Sequence, residues 1–162
     1  MPILNGDRYT GVTLHVIDDG IDTGPIIDQK LFEIDADETA FSLYQKYIER
    51  GIELFQRNIR TILSGDIVYT SQDTKGSTYC GRMYIDPSKA ELSTKMTWQQ
   101  IDRFVRAYYF PVYQFASFQG RPVKRATLIE RRSGLRLGPV ALGQGYTDVQ
   151  CIDALVRLWH IE

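Results

Sequence analysis

A cluster of aspartates with a nearby histidine is the first group in this chain with the residue types that acid–base catalysis uses. It lies in the stretch VTLHVIDDGIDTGPII, residues 12–27. Asp22 stands between Gly20 and Gly24, and glycine allows a backbone to come close to a ligand. A carboxylate held there is a candidate proton acceptor. Spacing alone favours a structural loop, because aspartate and glycine are common turn residues. A lone histidine such as His15 is also more often structural than catalytic.

Metal binding is a second interpretation of the acidic loop, and the spacing argues against it. An EF-hand loop that starts at Asp18 needs an acid at its third place, where Gly20 stands, and a glutamate at its twelfth, where Gln29 stands. The two cysteines, Cys80 and Cys151, lack the CxxC spacing and the nearby histidine pair of a zinc site. We therefore expect no metal, and we expect both cysteines to be free buried thiols.

Two predicted strands hold the ends of the loop. Alternating apolar residues predict a strand over 12–18, in which Thr13 and His15 share one face. A second apolar run predicts a strand over 26–34. The acidic loop therefore connects two neighbouring strands.

Two helices and a β-rich module are predicted beyond these strands. Apolar residues at three-four spacing predict a long helix with one buried stripe, starting after Asp37 or Thr39 and ending at Gly65. A shorter helix begins at Thr97 with capping-box spacing and stops before Pro111. Short apolar runs between turn signals then predict several strands. Gly51 lies on the buried stripe, where the missing side chain would let another backbone approach closely; mere tolerance of glycine at this position is the alternative.

Composition indicates an ordinary globular protein. The 162 residues are 43% hydrophobic and 24% charged. No apolar run approaches the ~18 residues of a membrane-spanning helix, and the first residues lack the order of a signal peptide. We therefore expect a cytoplasmic protein without a membrane partner.

Charge is distributed unevenly along the chain. Residues 1–65 carry six Lys/Arg against eleven Asp/Glu, whereas residues 66–162 carry thirteen against nine. The mildly basic second part suits a phosphate or nucleotide contact, but we favour a solvated basic face. General nucleic-acid binding needs a stronger basic stripe than this.

Longer motifs resemble a known family. The stretch TGVTLHVIDDGIDTGPIIDQ, followed by TAFSLYQKYIERGIELF, resembles the folate-dependent formyltransferases. These include methionyl-tRNA formyltransferase, glycinamide ribonucleotide transformylase and the nucleotide-sugar N-formyltransferases. The stretch QDTKGSTYCGRMYIDPSKAELSTKMTWQQIDRFVRAYYFPVYQFA resembles their linker and the start of their C-terminal domain. The resemblance implies an α/β fold. Residues 1–65 would form the rear part of the catalytic domain, and residues 66–162 a small α+β, β-rich C-terminal domain.

The resemblance also implies a reaction, the transfer of a formyl group from N10-formyltetrahydrofolate to a primary amine. The aspartate matching Asp22 holds a water and moves protons as the amine attacks, while an asparagine and a histidine stabilise the oxyanion. His15 is assigned to the catalytic group together with Asp22. The implied cofactor-binding residues are Thr13, Gly20, Ile21 and Gly24.

The resemblance favours one substrate class. Methionyl-tRNA enzymes usually carry methionine where His15 stands, whereas sugar and glycinamide ribonucleotide enzymes resemble TLH. RAYYFPVYQFASFQG resembles the sugar group, which implies that Tyr109 and Tyr113 stack on a nucleotide. We therefore predict a nucleotide-linked amino sugar as substrate and consider a homodimer. Methionyl-tRNA formyltransferase, with tRNA as its nucleic-acid partner, is the alternative.

One departure from the family concerns its Asn-x-His motif and the Leu-Pro-Arg-Gly continuation. The sequence contains neither, and PILNGDRYTG matches the segment that directly follows them in the family. We therefore expect this chain alone to be inactive. A non-catalytic binding module or a truncated relic is the third hypothesis.

Overall fold

The computed structural model describes residues 2–73, 90–133 and 136–161, and they form two antiparallel sheets and three helices. In chain order the elements are α1 (Pro2–Asn5), β1 (Tyr9–His15), β2 (Ile26–Glu33), α2 (Ala40–Ser64), α3 (Trp98–Tyr108), β3 (Ala116–Phe118), β4 (Arg121–Arg131), β5 (Gly138–Gly143), β6 (Tyr146–Gln150) and β7 (Ala154–His160). The α/β class predicted from the sequence is confirmed. The domain boundary at residue 65 stays a prediction, and Cys80 lies outside the described residues.

Strands β1 and β2 form a two-stranded antiparallel sheet that carries the acidic loop at one end. Tyr9 is opposite Glu33 and Thr13 is opposite Gln29, with a register shift between Leu14 and His15. The prediction for β2 is confirmed, but β1 starts three residues earlier and ends three residues earlier than predicted. Pairing with β2 sets the limits of β1, because the last residue of β2, Glu33, is opposite Tyr9 and its first residue, Ile26, is opposite His15.

Helix α2 begins and ends at local signals that the sequence carries. Thr39 forms a capping box with Ser42, so Thr39 rather than Asp37 is the N-cap, and Gly65 closes the helix with a φ of 79°. The prediction of one buried stripe is only partly right. Leu43 and Leu54 are buried, whereas other apolar residues of the helix are about half exposed: Tyr44, Ile48, Ile52 and Phe55.

Gly51 does not play the packing role expected from its position. A Cβ atom built on Gly51 would have no neighbour within 4 Å. The expectation of a close backbone approach was wrong, because no described residue outside the neighbouring turns of α2 lies within 4 Å of that position, and the alternative of mere tolerance is the one that fits.

The second sheet has the strand order β3-β4-β7-β6-β5 and packs against α3. Thr97 forms the predicted capping box with Gln100 at the start of α3. The residues of β7 alternate between buried and half-buried, and those on one face join the core. Cys151 is a free, buried thiol in that core, as predicted for this cysteine. No described helix is long and apolar enough to cross a membrane.

Candidate active site

The loop between β1 and β2 is closed at its base by backbone hydrogen bonds. Val16 N donates to Pro25 O over 3.0 Å. Inside the loop, the Asp18 carboxylate accepts from the Thr23 hydroxyl at 2.7 Å and from Gly20 N at 3.0 Å. These hydrogen bonds, the one from Thr23 above all, lower the pKa of Asp18 because they stabilise its charged form. Asp18 therefore shapes the turn, and its carboxylate is engaged in doing so.

Asp22 lies in an uncommon backbone conformation at the tip of this loop. Its φ is 57°, in the left-handed region that non-glycine residues seldom adopt. The side chain is 87% exposed, and its Oδ1 lies 3.6 Å from Nε2 of His15. Aspartate tolerates this conformation better than most residues, so the φ is also compatible with a turn, while an exposed carboxylate beside an imidazole has the residue types of an acid–base pair.

The ring of His15 is oriented by its own neighbour in the chain. Nδ1 lies 2.9 Å from Val16 O, and a carbonyl oxygen only accepts, so Nδ1 carries a proton. Nε2 is therefore the nitrogen presented to Asp22. The side chain is 25% exposed, so the pair lies partly open to a ligand. The structure thus brings together the two residues predicted to be catalytic.

Gln72 holds the loop from outside, a contact that no pattern in the sequence predicts. Its side-chain Nε2 donates to Asp22 O at 2.9 Å and to Gly24 O at 2.6 Å. The neighbouring Thr70 exchanges two backbone hydrogen bonds of 2.8 Å with Ile26. Gln72 lies in the polar connector after α2, 50 residues from Asp22, so no spacing rule links the two.

The residues predicted to bind the cofactor lie in or beside this loop. A Cβ on Gly24 would collide with the Val16 carbonyl, and a Cβ on Gly20 would collide with the Thr23 side chain. Both glycines are therefore required by the loop itself, whatever binds there. Thr13 accepts a hydrogen bond from Gln29 at 3.0 Å, and Ile21 is 81% exposed. A cofactor role for these residues stays a prediction.

The two tyrosines predicted to bind substrate lie elsewhere. Tyr109 follows α3 and its carbonyl accepts from Phe41 N at the start of α2. Tyr113 is 80% exposed in the next turn, where its ring contacts Phe110. The start of α2 follows the far end of β2, about 20 Å along the strands from His15. The structure therefore does not bring these tyrosines together with Asp22.

Comparison with known proteins assigns the family. The family model described as Formyl transferase matches residues 1–59. Methionyl-tRNA formyltransferase of Nitrosospira multiformis is 35% identical over 106 residues, which is 65% of this chain and 33% of that protein. GDP-perosamine N-formyltransferase of Brucella melitensis is 33% identical over 115 residues, 68% of this chain and 41% of that protein.

A solved structure shares the fold along almost the whole chain. It is the N-formyltransferase of Helicobacter canadensis in complex with folinic acid and dTDP-3-aminofucose. The identity is 32%, the TM-score is 0.83, and the match covers 99% of this chain and 59% of that one. The chain therefore spans 33% to 59% of the length of these three relatives, less than two thirds in each case. The shared sequence and the shared fold together show that the chain belongs to the formyltransferase family.

Proposed function

We propose that the native protein transfers a formyl group from N10-formyltetrahydrofolate to the primary amine of a nucleotide-linked amino sugar, and that residues 1–162 by themselves do not complete the reaction. The observation that carries the proposal is the pair formed by Asp22 and His15 at the tip of the β1–β2 loop. In this proposal residues 1–65 belong to the catalytic domain and residues 66–162 to the C-terminal domain. The Helicobacter canadensis neighbour, solved with folinic acid and an amino sugar nucleotide, supports both the donor and the acceptor.

The geometry of the pair suits the removal of a proton from an amine. An amine that attacks a formyl carbon must lose a proton to complete the new bond, and N10 of the leaving tetrahydrofolate must gain one as its bond to the formyl carbon breaks. An exposed carboxylate can accept the amine proton directly or through one water. Nε2 of His15, 3.6 Å from Asp22, is the next acceptor along the path. The Val16 carbonyl keeps the other ring nitrogen protonated, so Nε2 has a free lone pair when the imidazole is neutral.

The described residues fit a folate donor, which supplies the formyl group. Ile21 is 81% exposed and offers an apolar surface on which the flat pterin ring can pack. Asp22 offers an exposed acceptor beside it. Gly20 and Gly24 have no side chains, and neither position has room for one, so the donor can approach the loop backbone closely there.

Methionyl-tRNA is the second candidate acceptor. The Nitrosospira multiformis relative, at 35% identity, supports it. A nucleotide-linked amino sugar is the favoured acceptor, because the fold match to the Helicobacter canadensis structure, which contains dTDP-3-aminofucose, covers 99% of this chain. Brucella melitensis GDP-perosamine N-formyltransferase, which covers 68% of the chain, adds a second relative of the sugar class.

The test is a product assay on the protein purified from its native source. We would supply N10-formyltetrahydrofolate with dTDP-3-aminofucose, GDP-perosamine or methionyl-tRNA, and detect the formylated product by mass spectrometry. Formylation of a nucleotide sugar supports the proposal, whereas formylation of methionyl-tRNA alone supports the second candidate. If no acceptor is formylated, the proposal fails and a non-catalytic binding module becomes the better reading.

Asp22→Asn tests the role of the carboxylate within the same assay. The amide cannot accept the proton, so turnover should fall by roughly 100-fold or more. Asp19→Asn is the matched control, because Asp19 is an exposed residue of the same loop. Turnover of Asp22→Asn near the wild-type rate would reduce Asp22 to a turn residue.

A further inference from the structure

One carboxylate, that of Asp18, holds the Asp22 loop from the inside. Its Oδ1 accepts a hydrogen bond from the Thr23 hydroxyl at 2.7 Å and another from Gly20 N at 3.0 Å. Gly20 lies before Asp22 in the chain and Thr23 lies after it, so the two hydrogen bonds hold the backbone on both sides of Asp22. We refer to Asp18, Gly20 and Thr23 together as the inner clamp.

The hydrogen bond between Thr23 and Asp18 has a fixed direction. An ionised carboxylate only accepts, so the Thr23 hydroxyl must donate. The same hydrogen bond is the largest cause of the lowered pKa of Asp18, which keeps this carboxyl ionised at neutral pH. Hydrogen bonds to an ionised acceptor are roughly twice as strong as those between neutral groups. The inner clamp can therefore hold a loop that is exposed to water.

The Thr23 hydroxyl lies directly against the backbone of Gly20. A Cβ built on Gly20 would lie 2.0 Å from Oγ1 of Thr23. A side chain at position 20 would therefore displace the hydroxyl from the Asp18 carboxylate. Valine at position 23 has a methyl group in place of the hydroxyl, so it fills the same space but cannot donate. The inner clamp thus needs a glycine at position 20 and a hydroxyl at position 23.

The carboxylate of Asp22 depends on this backbone for its direction. No hydrogen bond to its oxygens is found among the residues that the structure describes, where its ion-pair partner is His15 at 3.6 Å. The φ of 57° at Asp22 therefore decides where the side chain points. Relaxation of the loop would move the carboxylate relative to Nε2 of His15.

We propose that Asp18 and Thr23 are positioning residues for formyl transfer, which hold Asp22 beside His15 without touching the substrate themselves. The inference rests on the function proposed above. It assigns the effect of Asp18 to the two hydrogen bonds that it accepts, not to its charge. A misplacement of about 1 Å in a catalytic group can lower a rate by about 100-fold, so the effect is large enough to measure.

Two pairs of variants isolate the hydroxyl and the carboxylate in the native protein. Thr23→Val removes the donor at nearly constant shape, whereas Thr23→Ser keeps it. Asp18→Ala removes the acceptor, whereas Asp18→Asn keeps an oxygen that can accept from both donors. Thr23→Val and Asp18→Ala should lower kcat about 10-fold or more. Thr23→Ser and Asp18→Asn should stay within about fivefold of the wild type.

Asp19→Ala is the matched control and should leave kcat unchanged. Asp19 is an exposed acidic residue of the same loop, and no described residue bonds to its carboxylate. A double-mutant cycle then tests whether the clamp acts through Asp22. Thr23→Val should lower kcat by a much smaller factor in an Asp22→Asn background than in the wild type. A role in overall stability would give the same factor in both backgrounds.

Hydrogen exchange of residues 18–25 provides a readout that needs no activity. Exchange should accelerate in Thr23→Val and Asp18→Ala, and it should stay unchanged in Thr23→Ser and Asp19→Ala. Melting temperatures should hardly differ, because the loop is exposed.

Three outcomes would overturn the inference. The first is a Thr23→Val protein with the kcat and the loop exchange of the wild type. The second is an equal effect of Thr23→Val in the wild-type and Asp22→Asn backgrounds. The third is a loss in Asp18→Asn as large as that in Asp18→Ala, which would assign the effect to charge. In each case the wild type still formylates its acceptor, so the proposed function stands. A wild type that formylates no acceptor would instead remove the proposed function and this role with it.

Discussion

Replacing Gln72 by alanine removes the side chain that holds the Asp22 loop in place. Two hydrogen bonds disappear, one to Asp22 O at 2.9 Å and one to Gly24 O at 2.6 Å. Each contributes about 0.5–1.5 kcal/mol net, or roughly 1–3 kcal/mol together. The left-handed conformation of Asp22, with a φ of 57°, costs most non-glycine residues about 1–2 kcal/mol and costs aspartate less, because its short polar side chain can hydrogen-bond locally. Without the offsetting contacts the loop should relax away from this conformation.

The expected kinetic result is a fall in kcat of about 10- to 100-fold, because 1.4 kcal/mol corresponds to a tenfold change in population. Gln72→Glu should cause a loss at least as large, since a carboxylate cannot donate to two carbonyl oxygens. Gln56→Ala, on the exposed face of α2, is the matched control. Formyl transfer, measured as kcat and KM separately, is the primary assay. Hydrogen exchange of residues 18–25 should also accelerate, and this readout needs no activity.

A double-mutant cycle shows whether Gln72 acts through Asp22. If it does, Gln72→Ala should lower kcat by a much smaller factor in an Asp22→Asn background than in the wild type. Equal costs in both backgrounds would refute the reasoning, as would a Gln72→Ala protein with wild-type turnover and unchanged exchange in the loop.

Two further predictions concern stability. Gly24→Ala should lower the melting temperature, because its Cβ would collide with the Val16 carbonyl, whereas Gly51→Ala should raise stability by about 1 kcal/mol in an open helical position. Melting curves check both variants, and an equal change in melting temperature for Gly24→Ala and Gly51→Ala would contradict the account of Gly24. Burial lowers the pKa of His160, so the unfolded chain binds a proton more readily than the folded one. The stability that neutral His160 contributes is present above about pH 6.5 and is lost as pH falls below it. His160→Gln should make the melting temperature depend less on pH between about pH 7 and 5. An unchanged dependence on pH would argue against this role.

Signals that act over a few residues were predicted correctly. Thr39 and Thr97 cap their helices, and Gly65 ends α2, because the interactions involved lie within one turn of the helix. The extent of β1 and the burial of α2 were predicted less well. Ile52 lies on the apolar stripe of α2 and is nevertheless 53% exposed. Burial depends on what packs across from a residue, and the periodicity of one helix does not contain that information.

Residue order was enough to identify the acidic loop, its flanking strands and the formyltransferase family, since all three depend on motifs that are contiguous in the chain. Packing was needed to show that Gln72, 50 residues away, holds Asp22 in a left-handed conformation. Contacts between distant segments depend on how whole elements pack, and spacing within any one segment carries no trace of them.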